Sequence, residues 1–511
     1  MTKQDIVFEL VKSMNKAEKR NFKLYANRSS GAGDVKFIAL FDAIESLSEY
    51  DEDKILRKCN VKKEQIPNMK AHLHRQILVS LRLLSIKGNV TMQIREMIDF
   101  SRILFEKSLF RQSSKQLEKA KQLAINSQSY ALVLEIIDFE KRVDSLQLNA
   151  SAGERIVKLG EQAREYAQKL DNINALSNLA IQLSGLNLRL GYVRSERDQE
   201  LVKNFFREKL DGYDDAKLSF HEKLYLYQAR MWYSYIQYDF VLGYRYALKL
   251  VKIFDENDNY KTIYYDHYIR ANTQLLDVLF RTRQYKKMVR TMRKVRGEYG
   301  VEIPAVDAAQ VMLEMCLLFS EIDLHFMTGD FDKGVLLRDR IEEYLETWGE
   351  HIDEHHKLML YYKFGCLYFG NGQYKECITY LQKVIHTRNP HIRRDLQVFS
   401  RMLNLIASYE SGEDYSLDYQ VKSVYAYIVK ANDMHAVQHE LITFLKRLPR
   451  TYNSNFRGEL QRLYDHLKPL ENHPYERRAF FYLDIISWLE SKITGRTISE
   501  IIREKFRSAP K

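Results

Sequence analysis

Few strings in this chain have the residue types and spacing for bond-making chemistry. His351-Ile352-Asp353-Glu354-His355, followed by His356, matches the inverted zinc-protease pattern HxxEH. That chemistry needs both imidazoles on one helical turn, the glutamate as base, and a third ligand from a distant helix. The string lies in a polar connection between TWGE and KLMLYY, so a corner of the fold is expected there and no metal site. Cys59, Cys316, Cys366 and Cys377 are too few and too scattered for a disulfide framework or a CxxC metal site, which points to a reducing cytoplasm. Phosphate chemistry has no GxxxxGK[ST] loop, and Gly31-Ala32-Gly33 lacks a third glycine and follows no strand. Neither a GxSxG elbow nor a kinase signature set occurs. The reading is a non-enzyme with no cofactor.

Charge offers more. Arg281 to Arg296 holds eight basic and no acidic residues. At 100° per residue, Arg283, Lys286, Lys287, Arg290, Arg293 and Lys294 share about 120° of arc, a ridge roughly 17 Å long. Tyr285, Met288, Met292 and Val295 take the opposite side, while Arg281 and Arg296 fall at the two ends, where a long side chain can reach water. Six like charges exceed what solubility needs, so an acidic protein, a nucleic-acid backbone or an anionic surface is a candidate partner. A solvated face, or pairing with acids of a neighbouring segment, is the bland alternative.

The elements that carry this ridge are helical. Among 511 residues only 20 are Gly and 7 Pro, and 236 residues without proline separate Pro67 from Pro304. Sheet folds punctuate each connection with such residues, so the gap argues for helix after helix. The apolar share of 45% supports a buried core, and no run of 18 uncharged apolar residues offers a membrane span. The opening MTKQDIVFELVKSMNKAEKR carries acids within its apolar stretch and does not read as a signal peptide.

LYYKFGCLYFGNGQYKECITYLQKVIHTRNP, residues 360–390, reads as two amphipathic helices around Gly-Asn-Gly-Gln. Here the chain resembles the tetratricopeptide repeat. Tyr374 falls on that motif's aromatic at the start of the second helix. Tyr361, Phe364, Gly365, Tyr368, Cys377, Leu381 and Val384 fall on its other packing positions. Weaker copies place Met97, Phe100, Ser101, Leu104, Phe110, Ser113, Leu117 and Ala120 on the same offsets. Others are Gly329-Asp330-Phe331 with Gly334, and Leu275 with Tyr285. The anchors Phe110, Tyr192, Phe240, Tyr285, Phe331, Tyr374 and Tyr415 are 82, 48, 45, 46, 43 and 41 apart. The first gap fits two units, with YALVLEIIDFEKRVDSL and GERIVKLGEQAREYAQKL as the missing hairpin. A period near 44 is longer than the motif's 34 and leans toward other helical solenoids. The expected fold is all-α, a right-handed α-solenoid of about seven or eight antiparallel hairpins. A generic helical bundle is the alternative.

The expected organisation is a basic helical module over 1–90, the array over 91–430 and a helical cap over 431–511. The module holds 17 Lys/Arg against 11 Asp/Glu, more than half the chain's excess of +11. Helices are expected over 3–14 (capped by Thr2), 16–27 (Asn15 with Glu18), 35–49, 52–59 and 68–87, with RSSGAGD (28–34) as a linker. DKILRKCNVKKEQIPNMKAHLHRQIL has a helix-turn-helix outline about an Asn60-Val61 turn, with Lys70, His74 and Arg75 as DNA readers. Pro67 is expected to break that helix, so a cap or docking module is the simpler reading. Two closing helices follow near the far end, with Arg503, Glu504, Lys505 and Arg507 as a polar outer face.

The tetratricopeptide resemblance implies a concave, peptide-binding face lined by first helices. It places Tyr225, Trp232, Tyr235, Arg270, Phe280, Phe319, Phe326, Tyr362 and Phe369 there. Aromatics beside an arginine suit peptide anchoring; in helices this long they also suit internal packing. The expected function is a cytoplasmic scaffold or adaptor binding a protein or peptide. The alternative is a regulatory protein whose N-terminal module contacts nucleic acid. Salt separates them, because phosphate binding falls steeply between about 50 and 200 mM and groove binding barely moves.

Overall fold

A computed structural model describes residues 5–29, 35–59, 61–146, 152–190, 193, 196–210, 212–257, 259–387, 393–412, 417–430, 435–451, 456–473, 475–476, 480 and 484–508. The fold is all-α; among the described residues the sole β pairing is an isolated bridge between Tyr299 and Ile303. The chain forms two compact units, Met1–Gln168 and Lys169–Lys511, so the array expected over 91–430 spans both.

In the first unit, helices Ile6–Ser13, Lys16–Ser29, Val35–Glu45, Glu52–Cys59 and Ile66–Ser85 share a core around Phe22, Phe41, Ile55, Leu73 and Ile77. Asp5 caps the first, accepting from Val7 and Phe8 N–H at 3.1 and 3.0 Å. Thr2, residues 30–34 of the linker and Asn60 lie outside the described residues. Asn15 and Glu18 form the reciprocal capping box, at 2.8 and 2.9 Å. Pro67 does not break a helix. It sits in the first turn of Ile66–Ser85, where the backbone N–H has no intrahelical acceptor to lose.

Helices Val90–Glu106, Phe110–Asn126 and Tyr130–Ser145 follow, each against the next. Ser101 and Ser113, on the repeat's small positions, let the first two cross closely, with hydroxyls 2.7 Å apart and each bonding the other's carbonyl. Phe100, expected to fill a gap between hairpins, is 47% exposed. The segment beginning GERIVKL does not stop after one helix's length. Ala152–Leu190 is a single helix of 39 residues. No proline interrupts it, and its glycines at 153, 160 and 185 keep helical backbone among good helix formers.

The second unit runs as paired helices: Phe220–Ile236 with Phe240–Lys252, Tyr265–Arg281 with Tyr285–Glu298, and Glu354–Gly370 with Tyr374–Ile385. Between the last two pairs, Asp307–Thr328 packs against the broken segment Phe331–Gly334 and Arg338–Trp348. Close approach explains the small residues. A Cβ on Gly365 would lie 3.2 Å from Leu381, and one on Gly370 2.7 Å from the Phe331 ring. In the 360–390 segment Tyr368 stacks on Tyr380 at 5.5 Å, and Phe364 meets the same ring edge-on at 4.9 Å. Hairpin turns hold one residue in the left-handed region: Ser108, Gln128, Tyr238 and Arg283, and then Gly329, Gly372 and Gly412. The turns centred on Tyr192 and Tyr415 lie outside the described residues.

Arg394–Glu410, Leu417–Lys430, Ala436–Thr451 and Phe456–Leu467 lead to Ile485–Thr494 and Ile498–Ser508. The last helix is not a plain polar cap. Glu504 and Arg507 face water, but Arg503 turns inward to Asp330 (3.1 Å) and Asp332 (2.8 Å). Lys505 likewise reaches Glu490 at 2.7 Å. The helix docks on a hairpin turn, whose Gly329 leaves room for it: a Cβ there would stand 2.9 Å from the Ser499 carbonyl.

Candidate functional site

The second unit has an open cavity of about 720 Å³. Its walls come from the first helices of three successive pairs, and Ile498, Ile502 and Lys505 of the docked final helix line it as well. Phe240, Phe280, Phe326, Phe331, Phe369 and Phe480 make it aromatic. Phe326 and Phe331 meet edge-on at 5.9 Å.

Two charged pairs line the same space. Asp277 takes Arg281 Nε at 2.6 Å and Nη2 at 3.2 Å, and its Oδ2 also accepts the Tyr235 hydroxyl at 2.7 Å. Lys363 Nζ donates to Asp323 Oδ1 at 2.5 Å, and lies 5.6 and 5.4 Å from the Phe280 and Phe319 ring centroids. Burial alone would push both carboxyls up. At Asp277 the Arg281 guanidinium outweighs it and holds the group below its ordinary value. At Asp323 burial prevails over Lys363, and the Asp277 charge adds to it, so the group is raised. Two carboxylates on one wall thus have their affinities for protons pushed apart. Arg283 stands at the edge, exposed and left-handed at φ 54°, as the first residue of the basic ridge.

The nine residues expected on a continuous groove divide. Phe280, Phe326, Tyr362 and Phe369 line the cavity. Tyr235 and Phe319 stand behind it, supporting Asp277 and Lys363. Tyr225 packs on His267 and Trp232 on Tyr235, while Arg270 is exposed and pairs with Asp266 at 3.8 Å. The ridge residues Lys286, Lys287, Arg290, Arg293 and Lys294 are exposed as expected from their arc, over buried Met288, Met292 and Val295. Arg281 does not reach for water. It bends onto Asp277, over the Tyr235 and Phe240 rings at 5.4 and 5.2 Å.

Sequence reasoning missed Asp277, Asp323 and Lys363. A signal existed: Asp277 and Asp323 each lie eight residues before a turn anchor, Tyr285 and Phe331, and each has apolar neighbours on both sides, Leu276 and Val278, Ile322 and Leu324. The HxxEH string breaks at a helix start. His351 ends a short 3-10 turn, Asp353 caps the helix by accepting from His356 N–H at 3.0 Å, and Glu354 bonds Thr387 at 2.7 Å. Lys70 of the helix-turn-helix outline is held by Asp5 at 2.7 Å and by the Tyr50 hydroxyl, while Arg75 is exposed and His74 half-buried. Burial pushes the Cys366 thiol at the cavity wall up to about 12, and Cys316 up to about 11, so both stay protonated and inert. Among the described residues no helix is long and apolar enough to cross a membrane. No protein-family model matches the chain, and no curated protein matches it either.

Proposed function

We propose that the chain is a tetratricopeptide-like helical solenoid protein that binds a peptide segment of a partner in the cavity of its second unit, in the cytoplasm and without catalysis. One observation carries this reading: an open cavity of about 720 Å³ lined by six phenylalanines and by charged pairs already satisfied by one another. Aromatic walls supply burial for a few anchor side chains, and fixed polar groups set their orientation. Arg283 adds a cation at the rim that steers an acidic segment inward. The N-terminal nucleic-acid reading has less behind it, because Lys70 is occupied by Asp5 and Tyr50.

The test is selection of a displayed random-peptide library on the full chain, with the selected peptides titrated by fluorescence anisotropy. Phe280→Ala and Arg283→Glu should each weaken binding about tenfold or more, a change of roughly 1.4 kcal/mol. Peptides that bind both variants as tightly as the parent would sink the reading.

A further inference from the structure

The outer face of the second unit carries a second pattern, independent of the cavity. On helix Tyr285–Glu298, Lys286, Arg290 and Arg293 are exposed, at positions i, i+4 and i+7. None has a carboxylate within ion-pair reach among the described residues, and Lys294 beside them meets only Glu298 of its own helix, at 3.8 Å. On helix Arg338–Trp348, Asp339, Glu343 and Glu346 are exposed with the same 4-then-3 spacing, and none has a cation within reach among the described residues. Each triplet occupies about 60° of arc and spans roughly 10 Å. The two stripes therefore match in length and register and are opposite in sign.

They are also neighbours. Both helices flank Asp307–Thr328 and reach the same glutamate: Arg296 meets Glu321 at 2.6 Å from one side, and Arg340 meets it at 2.5 Å from the other. The charges directed at Asp307–Thr328 are thus satisfied, while the two exposed triplets have no ion-pair partner among the described residues. Ordinary soluble surfaces intersperse the two signs; here each stripe shows one, and Arg338, the exposed cation on the acidic helix, is taken by Glu342 at 3.1 Å. Among the described residues, two of the most exposed large aliphatics adjoin these helices in sequence, Val301 after the basic one (81%) and Leu336 before the acidic one (78%).

We propose that this face pairs with a second copy of the same chain. In a twofold arrangement the basic stripe of one copy meets the acidic stripe of the other, twice, about an axis between the two helices. A twofold interface needs a self-complementary patch, and two equal stripes of opposite sign side by side are one. A nucleic-acid backbone or an anionic membrane fits less well, because three carboxylates lie one helix away from the cations it would contact. Val301 and Leu336 give the contact its apolar component.

Two charge-reversed full chains test the pairing: Arg290→Glu with Arg293→Glu, and Glu343→Lys with Glu346→Lys. All four side chains are exposed and unpartnered among the described residues, so circular dichroism should show unchanged helix content. Sedimentation velocity at about 50 mM salt should find the parent as a dimer, with association at least tenfold weaker near 500 mM as the charges are screened. Each variant alone, with two stripes of the same net sign, should sediment as a monomer. Their equimolar mixture should dimerise again, since every stripe regains an opposite. A monomeric parent at low salt overturns the proposal. So does a parent that dimerises while the mixture stays monomeric, or one that stays monomeric and binds a DNA duplex that the second variant binds more tightly.

Discussion

Mild acid should loosen the second unit before any ordinary carboxylate titrates. His221 lies between the Phe220 ring at 5.1 Å and the Tyr264 ring at 4.8 Å, and burial, helped by His267, pushes it down to about 4. His355 is likewise lowered to about 4, by burial and then by the Arg393 charge. In the unfolded chain both return to about 6.5. The folded values are depressed, so below pH 6.5 the unfolded state binds more protons, and stability is whole above that pH and lost as it falls toward 4. Each histidine costs about 1.4 kcal/mol per pH unit in that window, hence about 2 to 3 kcal/mol for the pair between pH 6.5 and 5.5. That is a large part of a typical margin of about 5 to 15 kcal/mol. Trp232, Trp348 and Trp488 are the chain's 3 tryptophans and all belong to the second unit. Urea unfolding followed by their fluorescence at pH 7.5, 6.5 and 5.5 therefore isolates the effect. His221→Phe, which keeps a ring among rings and removes the titration, should make the pH slope shallower; His267 and His325, also lowered by burial, keep theirs. A midpoint that does not move between pH 7.5 and 5.5, or a variant with the parent's slope, refutes the reasoning.

Lys363→Met leaves Asp323, 4% exposed, without its cation, and should cost about 3 to 5 kcal/mol at neutral pH in the same unfolding assay. The loss should shrink in acid as Asp323 takes a proton, and Asp323→Asn added to it should recover part of it. Gly370→Ala drives a methyl into the Phe331 ring and should cost about 1 to 3 kcal/mol, relieved by Phe331→Leu, in thermal melts. Ser108→Gly removes a side chain from an exposed left-handed position and should gain about 1 kcal/mol, read as slower amide exchange in the first unit.

Much of the hairpin pattern was legible because each second helix opens on an aromatic or apolar anchor and each crossing needs a small residue. Ser101 with Ser113, and Gly365 with Cys377, could be placed from spacing alone. What spacing conveys is which face of a helix is buried, not what buries it. Hence Arg503 and Lys505, which look like a polar outer rim, hold the last helix to Asp330, Asp332 and Glu490. Hence too Arg281, expected to reach water from the end of the basic segment, lies against Asp277. The cavity's aromatics agree with the repeat, whereas its charged pairs could not be read from it, because an Asp in a helix that carries other charges signals a site only when compared with the equivalent position one hairpin on. Pro67 was misjudged for a local reason: a proline stops a helix only if the helix already exists on its N-terminal side.

The left-handed residue at each turn has a consequence for how such a chain can be taken apart. Tyr238, Arg283 and Gly372 repeat one joint although their side chains have little in common: a positive φ, that residue's N–H on the carbonyl three residues back, and the next N–H on the carbonyl five back. The joint is therefore set by the backbone and accepts side chains as unlike as Tyr, Arg and Gly, at a cost of about 1 kcal/mol where the residue is not glycine. Cutting at one joint and rejoining at the next removes a whole hairpin and presents the same exit direction to the succeeding helix. A chain with interchangeable joints can lengthen or shorten by entire modules without redesigning any seam, which makes its length the property that evolution could change most cheaply.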